Sequence, residues 1–159
     1  MAVVNHSKKC LKEDDAFVTF LQLKEALPWQ YDDHYFHRGF FRYGDESDPL
    51  TAELINPLIR TFEEHAGRDV RGIFCNYYRS GNDYCSFHQD SYGSDVLTLS
   101  LGGTRDCLVK KLEGGKSDKY TLENGDFFYF NTRFNELHKH SIPKRSEAGE
   151  RISVVAFLQ

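Results

Sequence analysis

The spacing of apolar residues in the first part of the chain predicts two helices. The first covers residues 14–26, where either Asp14 or Asp15 suits the N-terminal cap and Pro28 ends the apolar pattern. Its apolar stripe consists of Phe17, Phe20, Leu21 and then Leu23 or Lys24. Residues 29–49 show no regular period and are rich in aromatic residues and turn signals. We therefore expect an irregular segment between the two helices.

The second helix is predicted by apolar residues that recur every four positions. They are Leu50, Leu54, Leu58 and Phe62, with Ile55 and Ile59 widening the stripe. Gly67 follows the last turn and suits the left-handed position after a helix. Pro57 either kinks this helix or marks a restart with Asn56 as its cap. The pattern leaves both possibilities open.

Beyond Gly67 the period changes to that of short strands separated by glycine turns. The predicted strands span roughly 70–78, 84–90, 95–101, 106–112, 118–122, 126–131, 136–141 and 151–158. Strands at this spacing favour an antiparallel sandwich or jelly roll. We therefore expect the 159 residues to form one mainly β (α+β) domain. Its flanking N-terminal helices occupy about 1–67, and its β core occupies about 68–159.

Composition narrows the function classes. Aromatic residues make up 14% of the chain, which favours packed sheets, and the net charge of −4 excludes a global basic field for nonspecific nucleic-acid binding. The N-terminus lacks the apolar core of a signal peptide, and no stretch has the length of a membrane span. The four cysteines form no Cys-x-x-Cys pair. We expect an intracellular protein of the cytoplasm or nucleus, neither secreted nor membrane-bound, with reduced thiols.

His88 and Asp90 are two positions apart in a predicted strand, so their side chains point to the same face. A third ligand is available from the predicted strand 136–141, which carries His138 and His140. Those two share a face, so periodicity does not separate them. Two histidines and one carboxylate form the facial triad of non-heme iron(II) oxygenases. The alternative is a pair of solvated polar residues at a strand edge.

Arg151 opens the last predicted strand, whose sequence RISVVAFL is otherwise almost entirely apolar. A guanidinium inside an apolar sheet needs an anionic partner, because burial of an unpaired charge is very costly. A dicarboxylate ligand can receive its bidentate fork. The alternatives are an ion pair with a protein carboxylate and an exposed strand start.

Six short sequence blocks follow one another between about residues 38 and 157. They read RYGD at 42–45, NYYRSGND at 76–83 with HQD at 88–90, SLGGTR at 100–105, LENGD at 122–126, HSIPK at 140–144 and RIS at 151–153. Each block is weak by itself. Together, and in this order, they resemble the motifs of the AlkB-like dioxygenases.

That resemblance implies a double-stranded β-helix, or jelly roll, that binds Fe(II) and the cosubstrate 2-oxoglutarate. It implies that His140, and not His138, completes the catalytic metal site with His88 and Asp90. The implied cosubstrate contacts are Asn76, near the oxoacid end, and Tyr78, Arg151 and Ser153 at the distal carboxylate. With dioxygen, such a site oxidises a substrate C–H bond, while the protein binds, orients and excludes water.

Two departures from the family pattern concern the cosubstrate and the substrate. Base-demethylating relatives commonly carry a second arginine six positions after the first, where this chain has Phe157. They also commonly carry an acid close after the metal-binding aspartate, where this chain has Ser91 and Tyr92. Tyr92 can stack on a flat substrate but cannot neutralise a cationic one. The resemblance also places a substrate lid before the core, with Arg42 and Tyr43 as further candidate contacts, although aromatic residues there equally suit covering a sheet edge.

Two function classes stay open. The first is oxidative demethylation of alkylated nucleobases in DNA or RNA, with local phosphate contacts from lysines around a glycine turn. These lysines are Lys110, Lys111, Lys116 and Lys119. The second is a hydroxylase or demethylase of a protein side chain or small molecule. A jelly-roll binding module with a degenerate site is disfavoured by the complete ligand set. We expect a monomer.

Overall fold

The computed structural model describes residues 1–44 and 48–159, which form two antiparallel sheets and three helices. The strands are β1 (Val4–Ser7), β2 (Gln30–Tyr31), β3 (Gly39–Tyr43), β4 (Val70–Tyr78), β5 (Cys85–His88), β6 (Asp95–Gly102), β7 (Arg105–Lys111), β8 (Asp118–Leu122), β9 (Phe127–Phe130), β10 (His138–Ile142) and β11 (Arg151–Leu158). The helices are α1 (Glu13–Ala26), α2 (Pro49–Ala66) and α3 (Thr132–Leu137). The motif residue Asp45 lies outside the described residues. No helix in the described ranges is long and apolar enough to cross a membrane.

The larger sheet has seven strands in the order β1-β9-β6-β11-β4-β3-β2, and the smaller has four in the order β5-β10-β7-β8. A shared core lies between the sheets. It contains Tyr78, Val96, Phe128 and Phe130 from the larger sheet and Val109, Leu122 and Ile142 from the smaller. Side chains alternate between the two faces of a strand, so both sheets also point polar side chains into the space between them. The predicted mainly β, double-sheet architecture is confirmed.

Helices α1 and α2 cover the outer face of the larger sheet. Their buried apolar residues are Ala16, Phe20 and Leu23 on α1 and Ile55, Leu58 and Phe62 on α2. A fully buried side chain of Leu, Ile or Phe contributes about 1.5–3 kcal/mol. The helices are therefore stabilised mainly by this shared core. The predicted apolar faces of both helices were too wide, because Phe17 on α1 is 50% exposed and Leu50 on α2 is 73% exposed.

The start of α1 differs from the prediction. The helix begins at Glu13 after Lys12, which makes no side-chain cap. The predicted caps Asp14 and Asp15 therefore lie inside the first turn, where acidic side chains interact favourably with the helix dipole.

Local signals at the ends of α2 were more informative. Gly67 has a φ of 66°, as predicted for the residue after the helix. The cap at the other end is Asp48, whose side chain accepts a hydrogen bond from the amide three residues later at 2.8 Å. The helix continues through Pro57, so the proposed restart at Asn56 is wrong. Burial of Leu58 beyond the proline stabilises the continuous helix.

Four elements were not predicted. Strands β1, β2 and β3 lie in segments without a regular apolar period. Strands β1 and β3 form because β9 and β4 offer open edges for pairing, and β2 pairs with β3. Gly39 opens β3, and a Cβ atom at this position would lie 2.9 Å from the ring of Tyr31. Helix α3 occupies the start of the predicted strand 136–141, so that β10 begins only afterwards.

Candidate metal centre and anion pocket

The three candidate metal ligands come together at one point of the smaller sheet. His88 on β5 and His140 on β10 are direct cross-strand partners, and their ring centroids are 4.3 Å apart. The Asp90 carboxylate lies 3.5 Å from Nε2 of His88 and 3.8 Å from Nε2 of His140. One ligand atom from each residue fits within 4.8 Å of the others. This is a donor set suited to one divalent metal ion.

His138 lies apart from this group. Its Nδ1 atom is 2.9 Å from the carbonyl oxygen of Phe134, and its ring stacks on the Phe134 ring at 3.9 Å. Helix α3 ends just before β10, so His138 packs against the helix rather than the other histidines. The structure therefore brings His140, and not His138, to His88 and Asp90.

Asp90 follows β5 and is held by a residue that the sequence did not indicate. Its backbone N–H donates to Oδ1 of Asn135 at 3.0 Å, and its carbonyl accepts from Nδ2 of Asn135 at 2.7 Å. The side chain of Gln89 also donates to the Asn135 carbonyl at 2.7 Å. Helix α3 thus fixes the backbone that carries the candidate carboxylate ligand. No sequence motif connects Asn135 with Asp90, because the pairing depends on the tertiary fold.

Burial and mutual contact set the protonation of the three ligands. Burial disfavours charged His88, but hydrogen bonds to Asp90 and Cys85 outweigh it and raise the pKa of His88 to about 10. Burial would raise the pKa of Asp90, yet the hydrogen bond to His88 holds it below its ordinary value. Burial lowers the pKa of His140 to about 4, against the attraction of Asp90. A metal ion would take the place of the His88 proton, which leaves two neutral imidazoles and a carboxylate.

Arg151 forms the second half of the site. It is 1% exposed, and its Nη2 donates to Oγ of Ser100 at 2.8 Å. The guanidinium carbon lies 5.2 Å from the ring centroid of Tyr78. Its Nε and Nη1 atoms are buried with no hydrogen-bond partner among the described residues. Neither an exposed strand start nor an ion pair within the described ranges explains this arginine. The orphaned donors fit a carboxylate-bearing ligand.

The other expected cosubstrate contacts line the same space. Asn76 and Ser153 are cross-strand partners on β4 and β11, and Nδ2 of Asn76 donates to Oγ of Ser153 at 3.0 Å. Tyr78 is 2% exposed, and burial raises its pKa to about 12 despite three neighbouring arginines. One of these, Arg105, lies 5.0 Å from the Tyr78 ring and is itself fully buried. Arg105 ends the SLGGTR block, but no feature of that block predicted a buried guanidinium beside Tyr78.

These residues share one cavity of about 310 Å³. His88, Asp90, His140, Asn76, Tyr78, Arg151 and Ser153 all line it. Of the expected substrate contacts, Arg42 and Tyr92 line it too, and the Arg42 guanidinium lies 5.2 Å from the Tyr92 ring centroid. Tyr43 does not, because it neighbours Arg42 on a strand and faces α2, where its hydroxyl bonds Asn56 at 3.3 Å.

The predicted lid segment divides in the structure. Phe36 and Arg38 line the cavity. Trp29 instead packs on Tyr77 on the outer side of the sheet, with ring centroids 5.3 Å apart. Phe41 is buried in the core beneath the helices. Part of the aromatic segment therefore only covers the sheet, as the alternative reading allowed.

Comparison with solved structures places this arrangement in a known fold. The structure of OsALKBH1 matches with a TM-score of 0.64 at 16% identity, covering 97% of each chain. A prolyl-4-hydroxylase from Pseudomonas putida matches at 0.61 and 12% identity, over 98% of this chain and 91% of that one. A 2OG-Fe(II) oxygenase family oxidoreductase from Burkholderia pseudomallei matches at 0.65 and 17%, over 98% and 82%. The chain thus has the double-stranded β-helix (jelly-roll) fold, as predicted.

Sequence comparison adds less. No protein-family profile matches the chain. An uncharacterized protein of Acanthamoeba polyphaga mimivirus is 25% identical over 118 residues, which cover 70% of this chain and 62% of that protein. Purple acid phosphatase 7 of Arabidopsis thaliana is 28% identical over 123 residues, covering 69% and 34%. The chain therefore spans less than two thirds of the length of both curated relatives.

Proposed function

We propose that this chain is an Fe(II)- and 2-oxoglutarate-dependent dioxygenase. The observation that carries the proposal is that one cavity holds both a His-Asp-His ligand group and a buried guanidinium with unpartnered donors. A metal site alone is common to many chemistries. A metal site next to an unpaired Arg151 calls for an anionic ligand that binds beside the metal, and an oxoacid with a second carboxylate meets that requirement. The shared fold of the structural neighbours supports the same class.

Each residue then has a defined part. His88, Asp90 and His140 would hold the iron, and Arg151 with Tyr78 and Ser153 would hold the distal carboxylate of 2-oxoglutarate. When bound, iron and oxoacid together supply the dioxygen chemistry that oxidises a substrate C–H bond. The protein would fix the ligands and exclude water between the two sheets, and the part of the cavity lined by the exposed Tyr92 would take the substrate.

Metal stoichiometry tests the first half of this proposal. Anaerobic loading with Fe(II) should give one iron per chain in the wild type and in Arg60→Met, an exposed helix residue outside the cavity. His88→Ala and Asp90→Ala should lose the iron because each removes one of three ligands. Full iron occupancy in Asp90→Ala would mean that the metal binds elsewhere.

For the substrate we propose alkylated nucleobases of single-stranded DNA or RNA. The order of motifs supports this class, as does the likeness to OsALKBH1. Asp90 is the only carboxylate that lines the cavity, among the described residues, and it is engaged with the metal-site histidines. The cavity therefore suits a neutral N-methylated base better than a cationic lesion, which would enter beside Arg42 without a neutralising acid.

A basic surface on the smaller sheet provides a place for phosphates. Lys110 on β7 and Lys139 on β10 are direct cross-strand partners. Like charges in such a pair repel each other. Both ammonium groups approach the ring of Phe87, at 4.2 and 6.0 Å from its centroid, and neither has an acidic partner in the described part of the chain. A polyanion would relieve this repulsion, and its binding would weaken with salt.

A second candidate is hydroxylation of a protein side chain. The likeness to a prolyl-4-hydroxylase and the scarcity of acids in the cavity both favour a neutral substrate of this kind. Formaldehyde release from methylated oligonucleotides and hydroxylation of a peptide panel, measured side by side, separate the two. We expect Lys110→Glu with Lys139→Glu to lower oligonucleotide turnover, while 2-oxoglutarate consumption without substrate stays unchanged. Charge reversal at the exposed Lys8 is the matched control. Normal uncoupled consumption with no formaldehyde from any oligonucleotide would exclude the nucleobase substrate.

A further inference from the structure

Arg38, just before β3, is the second buried arginine that lines the cavity. It is 8% exposed, and its Nε donates to Oδ1 of Asn76 at 2.8 Å. Its Nη1 donates to the carbonyl of Phe36 at 2.6 Å. A guanidinium carries five N–H donors. These two bonds therefore leave other N–H donors of Arg38 available to a ligand in the cavity.

The charge of Arg38 has no counterpart in the described part of the chain. No ion pair there includes Arg38, and Asp90, the one lining carboxylate, is shared by two histidines. Arg38 and Arg151 thus place two cations in one interior that offers a single engaged acid. Buried charges of this kind are retained where a ligand neutralises them. The charge balance calls for a ligand with two negative groups.

Both guanidiniums reach one row of polar side chains that crosses three strands. Ser153 on β11 pairs with Asn76 on β4 and with Ser100 on β6. Arg38 donates to Asn76 at one end of this row, and Arg151 donates to Ser100 at the other end. Neighbouring strands lie about 4.7–4.9 Å apart, so the two ends of the row are separated by about 9–10 Å. A dicarboxylic acid that lies along the row can therefore meet Arg151 with one carboxylate and Arg38 with the other.

We infer that Arg38 binds the oxoacid-end carboxylate of 2-oxoglutarate, as the partner of Arg151 at the distal end. The inference rests on the proposed function. Arg38 is a cosubstrate-binding residue from outside the jelly-roll core, and it supplies a cationic contact in a cavity where the Phe157 side chain offers none. The hydrogen-bonded row of Arg38, Asn76 and Ser153 holds the guanidinium in place.

A comparison of two ligands on zinc-loaded protein tests this assignment without turnover. 2-Oxoglutarate has both carboxylates, whereas 2-oxobutyrate keeps the oxoacid end and lacks the distal one. By calorimetry, Arg38→Met should weaken both ligands by a similar factor, about 10- to 100-fold, as when a charged hydrogen-bond partner is lost. Arg151→Met should weaken 2-oxoglutarate alone. Arg38→Lys, which keeps the charge without the fork, should fall between, and the exposed Arg60→Met should bind as the wild type does.

The outcomes separate this inference from the proposed function. A folded Arg38→Met variant that binds both ligands with wild-type affinity would overturn the inference. Arg38 would then be a candidate for substrate binding instead. A loss confined to 2-oxoglutarate would overturn it too, because Arg38 would then serve the distal end. Absence of any 2-oxoglutarate binding to the wild type would contradict the proposed function itself.

Discussion

Replacing Arg151 with methionine should make the ligand-free protein more stable. The variant loses the hydrogen bond to Ser100, worth about 1.5–3 kcal/mol because its donor is charged. It also loses the cation–π contact with Tyr78, worth up to about 2 kcal/mol at a desolvated site. Against this, it removes a fully buried charge whose effective desolvation penalty is several kcal/mol. Burial accordingly lowers the pKa of Arg151.

The net effect is a gain of about 1 kcal/mol, because no carboxylate among the described residues offsets that penalty. For a chain of this size, each kcal/mol corresponds to a shift of about 2–4 °C in melting temperature. Arg105→Met is the matched control. Arg105 is equally buried, but its Nη2 donates to the carbonyls of Asp83 and Pro143, both at 2.7 Å. Its removal leaves those carbonyls without a donor and should destabilise the protein.

Differential scanning calorimetry of the zinc-loaded protein, with and without 2-oxoglutarate, measures both effects. At a hundred times its dissociation constant, the ligand should stabilise the wild type by about 2.7 kcal/mol. It should leave Arg151→Met nearly unchanged, so that the order of stability reverses when ligand is added. Arg151→Met could instead prove less stable than the wild type without ligand and gain as much stability from 2-oxoglutarate as the wild type does. That result would refute the assignment of Arg151 as the residue that binds the anionic ligand.

Three further predictions concern the metal site and the fold. His140→Ala should abolish iron-dependent 2-oxoglutarate turnover, whereas His138→Ala should keep most of it; the reverse would show that the third ligand is misassigned. Asn135→Ala should weaken metal affinity about 10- to 100-fold, measured by chelator competition, because it frees the backbone of Asp90; unchanged affinity would remove it from the site. The pKa of buried Asp126 is lowered, against burial, by hydrogen bonds from two backbone amides. The ionised Asp126 carboxylate therefore stabilises the folded state above about pH 4, the pKa of an unfolded Asp. This stabilisation is lost as the pH falls through the lower pKa that Asp126 has in the folded state. In urea titrations Asp126→Asn should lose about 1–3 kcal/mol at pH 7 and less at pH 3, and an equal loss at both would contradict this.

The core of the fold was predictable because its signals are local. The four-residue period of α2, Gly67 after it and the glycine turns between strands each depend on a few neighbouring residues. Strand periodicity predicted His88 and Asp90 on one face of a strand 84–90, but β5 ends at His88, and Asp90 reaches the site from the segment that follows. The same periodicity left His138 and His140 unresolved. The structure separates these two because α3, which had no sequence signal strong enough to predict it, holds the first of them.

The rest of the site depends on contacts between distant segments. The roles of Arg38 and Asn135 could not be predicted from their neighbours in sequence. Arg38 reaches the site because β3 pairs with β4, and Asn135 reaches it because α3 packs beside Asp90. Without β3 the alternation of its side chains could not be applied, so Arg42 and Tyr43 were both expected at the substrate. Adjacent residues of a strand face opposite sides, and the structure leaves only Arg42 at the cavity.

Succinate formation is the measurement that tests the central claim most directly. Purified protein loaded with Fe(II) should convert 2-oxoglutarate to succinate in the presence of dioxygen, slowly alone and faster with a methylated single-stranded oligonucleotide or a responsive peptide. Activity should disappear in Asp90→Ala and persist in Arg60→Met. Iron-loaded, folded protein that forms no succinate with any member of the substrate panel, or Asp90→Ala that forms it at the wild-type rate, would contradict the account.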